Sequence, residues 1–284
     1  MLLELAIGDA YGAGFEYANR QLIRQFNDLH HYHKHPRHSI GPGRYTDDTQ
    51  MTLAIAESIV SDEDWTPQNL AERFVDVFKR DPREGYASRF YSFLKHVQDG
   101  AQFLAEIIPT SDKSGAAMRS IPIGIYPNLQ TVIERTTIQA TITHNTPDGI
   151  NAAVATALMS HYFIYDLGPK NELGQFIETH VKGKWADTWQ GQVGPKGWMS
   201  VKAAITAIHQ TQALSDLLRT CINYSGDVDT VATIALGAAS CSKEFVQDIP
   251  SVLMDDLENT AYGRDYLVRL DKELFDYRQS LAKS

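Results

Sequence analysis

Apolar positions along this chain recur with a helical period and almost never with the two-residue period of a strand. Met51, Ile55 and Ile59 return every four residues and mark one face of a helix that begins near Thr46. The stretch DGINAAVATALMSHYF (148–163) is apolar nearly all round, as a helix buried on every side would be. SVKAAITAIHQ and ALSDLLRTCIN read as two further helices, and TVATIALGAAS (230–240) suits a helix packed closely on its neighbours. RDYLVRLDKELFDY sets Leu267, Leu270 and Leu274 on one side of a closing helix. The nearest approach to alternation, IPIGIY (121–126), is demoted to a loop by Pro122 and Gly124. The pattern predicts an all-α fold: a single compact multi-helix domain over residues 1–284.

Three long polar segments, 27–44, 109–120 and 166–198, read as excursions from that helical core. The last holds the glycine-rich run GQVGPKGW and is expected to be mobile. The first holds His30, His31, His33, His35 and His38. Histidine tracts bind transition metals, but no acidic or cysteine partner shares this spacing, so the tract reads as a solvated loop.

Composition adds exclusions. Of 284 residues, 43% are hydrophobic and 21% charged, which is ordinary for a globular protein with a large core. A net charge of -9 speaks against a nucleic-acid partner, which needs a basic face. It leaves room for an anionic ligand, because a bound metal or one local arginine overrides the total. Two cysteines, Cys221 and Cys241, give no disulfide framework, and a cytoplasmic location is the expectation. The opening MLLELAIGDAYG lacks the basic segment of a secretory signal. No apolar run approaches the length that spans a bilayer, so no membrane partner is expected either.

The candidate chemistry lies in two acidic motifs. GRYTDDTQMTLAIAES (43–58) sets Asp47 and Asp48 side by side at the start of an apolar helix. Thr46 is a good N-cap, and acids in a first turn complement the helix dipole, so capping explains this motif alone. Far along the chain, NYSGDVDTVATIALGAAS repeats the arrangement with Asp227, Asp229 and Thr230. Together the motifs offer four carboxylates and two hydroxyls. If they converge, the carboxylates either rise in pKa or bind a cation. All-oxygen donors select Mg²⁺, Mn²⁺ or Ca²⁺ over zinc. Four carboxylates suit two divalent ions, which bimetallic sites hold about 3.5–4 Å apart.

Five segments in order, LAIGDAYGAGFEY, GRYTDDTQMTLAIAES, SGAAMRSIPIG, TITHNTP and SGDVDTVATIALGAAS, make the chain resemble the ADP-ribosylglycohydrolase family over nearly its whole length. The resemblance implies an all-α fold around two Mg²⁺ or Mn²⁺ ions. The implied metal ligands are Thr46, Asp47, Asp48, Asp227, Asp229 and Thr230. Glu16, in GFEY, matches a glutamate beside the metals and is a candidate ligand, gate or base. Gly115, Ala116, Ala117, Met118 and Arg119 match a loop facing phosphate and ribose. Small side chains there admit backbone amides to a diphosphate, and Arg119 is either a phosphate donor or a surface ion pair. His144, in THNTP, matches a histidine lining the ADP-ribose pocket. Asp81, in RDPREGY, is a supporting or catalytic carboxylate, or only a turn residue.

The chain departs from the family pattern at Asn145 and Thr146, which replace a common histidine, and in SCSKEF, which lacks a common glycine. Neither change touches an implied ligand. The implied reaction is metal-dependent hydrolysis of the C1″ glycosidic bond between ADP-ribose and a protein side chain, with arginine linkage favoured. The substrate is then an ADP-ribosylated protein and the product ADP-ribose. Serine-linked or polymeric ADP-ribose is an alternative, as is an immunity-type partner that only binds an ADP-ribosylating toxin or its target. A two-metal phosphohydrolase fits the carboxylates but lacks histidines beside either motif.

Overall fold

The computed structural model describes residues 1–61 and 63–281. Its first half holds α1 (Leu2–Ala13), α2 (Arg20–Phe26), α3 (Asp47–Val60), α4 (Pro67–Arg80), α5 (Ser88–His96), α6 (Gly100–Glu106) and the single turn α7 (Gly115–Met118). After a 3₁₀ turn (Ile121–Ile125) come α8 (Leu129–Thr141) and α9 (Pro147–Ile164). A second 3₁₀ turn (Lys170–Glu172) leads into α10 (Leu173–Glu178). The chain then runs through α11 (Gly197–Gln210), α12 (Leu214–Asn223), α13 (Val228–Ala239), α14 (Ser251–Asp255) and α15 (Arg264–Leu281). Among the described residues there is no strand, only isolated bridges. The all-α expectation therefore holds.

The helix α13 is central, with every residue from Val228 to Ala239 buried. Its small side chains let α1 cross at close range. A Cβ on Gly12 would overlap the Asp229 backbone, so only glycine fits where the two helices meet. That crossing sets the first helix of the chain against the start of the second acidic motif. Helices α11 and α12 flank α13, and α9 packs on α7, α8 and α11. Returning across the molecule, α15 buries Leu267, Leu270 and Leu274, each worth roughly 1.5–3 kcal/mol. The Met1 ammonium pairs with Asp271 at 3.0 Å. One hydrophobic core runs from Met1 to Leu274. No described helix is long and apolar enough to cross a membrane.

Two local expectations change. IPIGIY is not a loop but a buried 3₁₀ turn, because Pro122 sits in a first turn where its missing N–H breaks no hydrogen bond. The glycine-rich run is fastened at its middle: Val193 is buried, donates to Ser225 O at 3.0 Å and accepts from Asp227 N at 3.1 Å. That pairing stiffens the turn carrying the second acidic motif.

Candidate metal and substrate site

The second motif is built by an unusual turn. Ser225 and Gly226 both adopt positive φ, +60° and +93°. A Cβ on Gly226 would collide with the Val193 carbonyl, so the turn needs glycine here. Asp227 follows and caps α13. Its Oδ2 accepts from Ser200 Oγ and its Oδ1 from Thr230 Oγ1, both at 3.3 Å. Asp229 Oδ1 accepts from the Thr230 amide at 3.0 Å. Tyr17 N donates to Gly226 O at 2.8 Å, which draws the loop after α1 onto this turn and brings Glu16 with it. Carboxylate oxygens of Glu16, Asp227 and Asp229 lie within 4.8 Å of one another.

The first motif opens α3 as expected, with the Thr46 hydroxyl accepting from Asp48 N at 3.3 Å. Its main support is a residue the sequence reading missed. Asp9 of α1 is fully buried and accepts from Thr46 N (2.9 Å), Thr46 Oγ1 (2.8 Å), Thr49 N (2.9 Å) and Thr49 Oγ1 (2.6 Å). A lone acid inside an otherwise apolar helical run was the available signal, because such a group is buried only with partners. Asp48 Oδ1 is buried and has no hydrogen-bond partner. Asp47 and Asp48 of the first motif and Asp227, Asp229 and Thr230 of the second line the same cavity, close enough for the Asp227 charge to act on Asp48. They converge.

The electrostatics follow from this crowding. Burial raises Asp47 and Asp48 well above the usual carboxylate range, and the Asp9 charge pushes both further. Burial also raises Asp229, with Glu16 and Asp227 adding to it. Asp227 rises less, to about 6, from burial and Glu16, opposed by hydroxyls of Ser114, Ser200 and Thr230. A divalent cation fits these residues. It would neutralise acids that repel one another, and Asp48 Oδ1 already waits without a partner.

Beside the carboxylates lies a cavity of about 590 Å³, large enough for a nucleotide-sized ligand. Glu16, Asp47, Asp48, Asp227, Asp229 and Thr230 all line it, together with Gly115, Met118, Arg119 and His144. Tyr86, Phe90 and Phe93 supply an aromatic wall. Thr46 stands behind the wall, its hydroxyl bound to Asp9. Ala116 and Ala117 face the core rather than the cavity, because GAAM is one helical turn and not an open loop.

Arg119 is neither a surface ion pair nor an available bidentate phosphate clamp. The residue is 1% exposed and its guanidinium lies 4.5 Å over the Phe74 ring. Nε donates to Gln139 Oε1 (2.5 Å), and Nη2 to Gln139 O and Thr143 Oγ1 (both 2.9 Å). Burial pulls its pKa down to about 9. Thr143 in turn pairs with His144 Nδ1 at 2.7 Å, so Arg119 braces the histidine. Burial, then the neighbouring Arg119 charge, lowers His144 to about 3. Its ring is therefore neutral at ordinary pH.

Asp81 is not brought to the site. It ends α4, where its Oδ2 accepts from Arg83 Nε (3.0 Å) and Nη2 (2.7 Å). Arg83 also binds Glu258 and the Tyr45 carbonyl, so Asp81 belongs to an ion cluster that fastens the approach to α3. The histidine tract is not one solvated loop either. His30 and His31 are exposed, but His35 is buried with Nε2 2.6 Å from Glu16 Oε2. Reading the tract for internal metal spacing hid a single histidine whose acidic partner lies 19 residues earlier.

Two acidic helix starts of an all-α fold thus meet at one cavity. The chain belongs to the ADP-ribosylglycohydrolase family, whose model matches residues 1–283. It is 29% identical to the ADP-ribosylhydrolase ARH3 of Xenopus tropicalis over 198 residues, 64% of this chain and about half (54%) of that protein. It is 26% identical to the ADP-ribosyl-[dinitrogen reductase] glycohydrolase of Rhodospirillum rubrum, covering 90% of this chain and 88% of that one. Identity to the ADP-ribosylarginine hydrolase Tri1 of Pseudomonas putida is 23%, over 97% of this chain and 76% of the relative.

Proposed function

We propose that this protein hydrolyses the C1″ glycosidic bond joining ADP-ribose to a side chain of a modified protein, using two Mg²⁺ or Mn²⁺ ions. The observation that carries this reading is the convergence of Asp47, Asp48, Asp227, Asp229 and Thr230 with Glu16 on the wall of one nucleotide-sized cavity. Family membership supports the ADP-ribosyl linkage as the bond cleaved. An arginine acceptor is favoured because a relative matched over nearly all of this chain is an ADP-ribosylarginine hydrolase. Serine-linked and polymeric ADP-ribose are the alternative substrates. The chain acts as one cytoplasmic domain in this reading, with Cys221 and Cys241 both free thiols.

Asp47, Asp48, Asp227 and Asp229 would hold the ions, with the Thr230 hydroxyl beside them and Thr46, bound to Asp9, supporting the α3 pair from behind. Bound there, the cations supply Lewis acidity toward the ribose diol and toward water. The protein's own groups do the rest. The carboxylate-lined wall favours the positive charge of an oxocarbenium-like transition state. Glu16 is the base, since it lies among the carboxylates yet is not needed to cap either helix. Asp81 drops out of this role because the Arg83 cluster holds it away. Gly115 and Met118 offer the ligand a flat wall at the α7 turn. His144, kept neutral by burial, can take part only as a hydrogen-bonding ring.

The test is release of free ADP-ribose from an arginine-ADP-ribosylated protein, with Mg²⁺, with Mn²⁺ and with chelator. The reading predicts metal-dependent release that Asp48→Ala and Asp229→Ala both lose while their helical circular dichroism persists. Release unaffected by chelator would contradict it. Release from serine-linked substrate alone would move the acceptor assignment.

A further inference from the structure

Glu16 stands within 4.8 Å of two other carboxylates, on a loop, with its side chain 18% exposed. Repulsion from Asp227 and Asp229 favours a rotamer that swings toward water. Something must hold it inward. Tyr17 N, bonded to Gly226 O, fixes the loop backbone but leaves the three side-chain torsions of the glutamate free. The buried ring of His35, 1% exposed, supplies the missing restraint, with Nε2 2.6 Å from Oε2.

The backbone next to His35 decides what that contact is. Nδ1 accepts from the amides of Arg37 (3.0 Å) and His38 (3.1 Å), in the turn after Pro36. A ring nitrogen that accepts carries no proton, so the ring proton is on Nε2 and points at the glutamate. At 2.6 Å this is a short, charge-assisted hydrogen bond. The same geometry opposes a different use of these residues. Glu16, His35 and His38 present ligand atoms within 4.8 Å, a spacing that suits a transition metal. Coordination through Nε2 would require either an imidazolate or disruption of the Arg37 and His38 amide contacts.

We infer that His35 is a positioning residue for Glu16: it donates Nε2–H to the carboxylate and holds it against like charges at the edge of the candidate metal site. This deepens the proposed function and rests on Glu16 acting there. Asparagine and glutamine separate the two halves of the ring. Asparagine keeps an acceptor near the Nδ1 position and loses the donor to Glu16. Glutamine can place an amide donor near Nε2.

Three readouts test it on the Mg²⁺-loaded protein. Long-range ¹⁵N–¹H spectra should show His35 as the Nε2–H tautomer. Turnover should fall about 10–100-fold in kcat for His35→Asn, the scale of losing an orienting partner, with KM little changed. His35→Gln should recover most of that loss, and His35→Asn should have no further effect in a Glu16→Gln background. An Nδ1–H tautomer, equal losses in both variants, or additive losses on top of Glu16→Gln would overturn the inference. If wild-type protein releases no ADP-ribose from any linkage, the proposed function fails instead. The Nε2–H signal then still decides the role of His35. Glu16→Gln replaces a charged acceptor by a neutral one, so it should move that proton resonance upfield while the tautomer set by the Arg37 and His38 amides persists. An unmoved resonance would overturn the inference.

Discussion

The two helix starts that make the carboxylate wall are held in place by opposite kinds of chemistry. At α3, the scaffold is another acid: Asp9 takes four hydrogen bonds from Thr46 and Thr49 and adds its own negative charge behind Asp47 and Asp48. At α13, the hydrogen-bond donors are neutral: hydroxyls of Ser200 and Thr230 donate to Asp227 and the Val193 carbonyl fixes the turn, while Glu16 brings its charge from the side. Asp227 rises only to about 6, while Asp47 and Asp48, and on the α13 side Asp229 beside Glu16, are driven higher. Both helix starts carry acids that a cation would relieve, and the difference lies in what holds them. A charged scaffold orders the α3 ligands firmly at the cost of repulsion, and a bound cation relieves that repulsion.

The largest expected effect is on the protein without metal. A chelator should lower the melting temperature, and added Mg²⁺ or Mn²⁺ should restore it. One ion at a hundred times its Kd contributes about 2.7 kcal/mol, which is several degrees for a chain of this size. The acids also set the sign of the pH dependence. Their folded pKa values lie above the unfolded one, so the stability they contribute is complete below the unfolded value of 3.8 and is lost as pH rises through the folded value. For Asp227 that window ends near pH 6, and the α3 pair extends it upward. Chelated protein should therefore lose stability between pH 5 and pH 7.5, and saturating metal should flatten the slope. Thermal melts at both pH values, with and without metal, check this.

Altering the scaffolds should break the symmetry of the wall. Asp9→Asn should weaken Mn²⁺ binding about 10–100-fold, as loss of an orienting partner does. Ser200→Ala removes a single long hydrogen bond from a neutral donor and should cost only about two- to threefold. Isothermal titration of both variants gives the ratio, and equal losses would show that the charge on the scaffold is immaterial. The smallest effect on activity is expected at Asp81. Replacing it by Ala should leave kcat within about twofold, while lost charged hydrogen bonds to Arg83 cost about 1–3 kcal/mol of stability. A melt and a rate measurement on the same preparation separate the two.

The helices and both acidic motifs were legible in the sequence because each is a local pattern: a four-residue apolar period, or acids beside a threonine at a helix start. The 3₁₀ turn at 121–125 was misread because its glycine and proline are turn residues in either structure. What the sequence concealed was pairing over distance. Asp9 finds its donors 37 and 40 residues later, at Thr46 and Thr49. Arg119 is claimed by Gln139 and Thr143, and a motif match at Arg119 alone carries no trace of those partners. His35 is indistinguishable from its four neighbouring histidines until Glu16 is placed against it.

Titration of Mn²⁺ into wild-type protein, Asp48→Ala and Asp229→Ala tests the central claim most directly, since each variant cuts one wall and spares the other. If the two helix starts share one metal centre, wild-type protein binds about two ions, and either substitution weakens the whole site, including donors on the untouched helix. Wild-type protein that binds no Mn²⁺, or a variant that retains full binding, would contradict it.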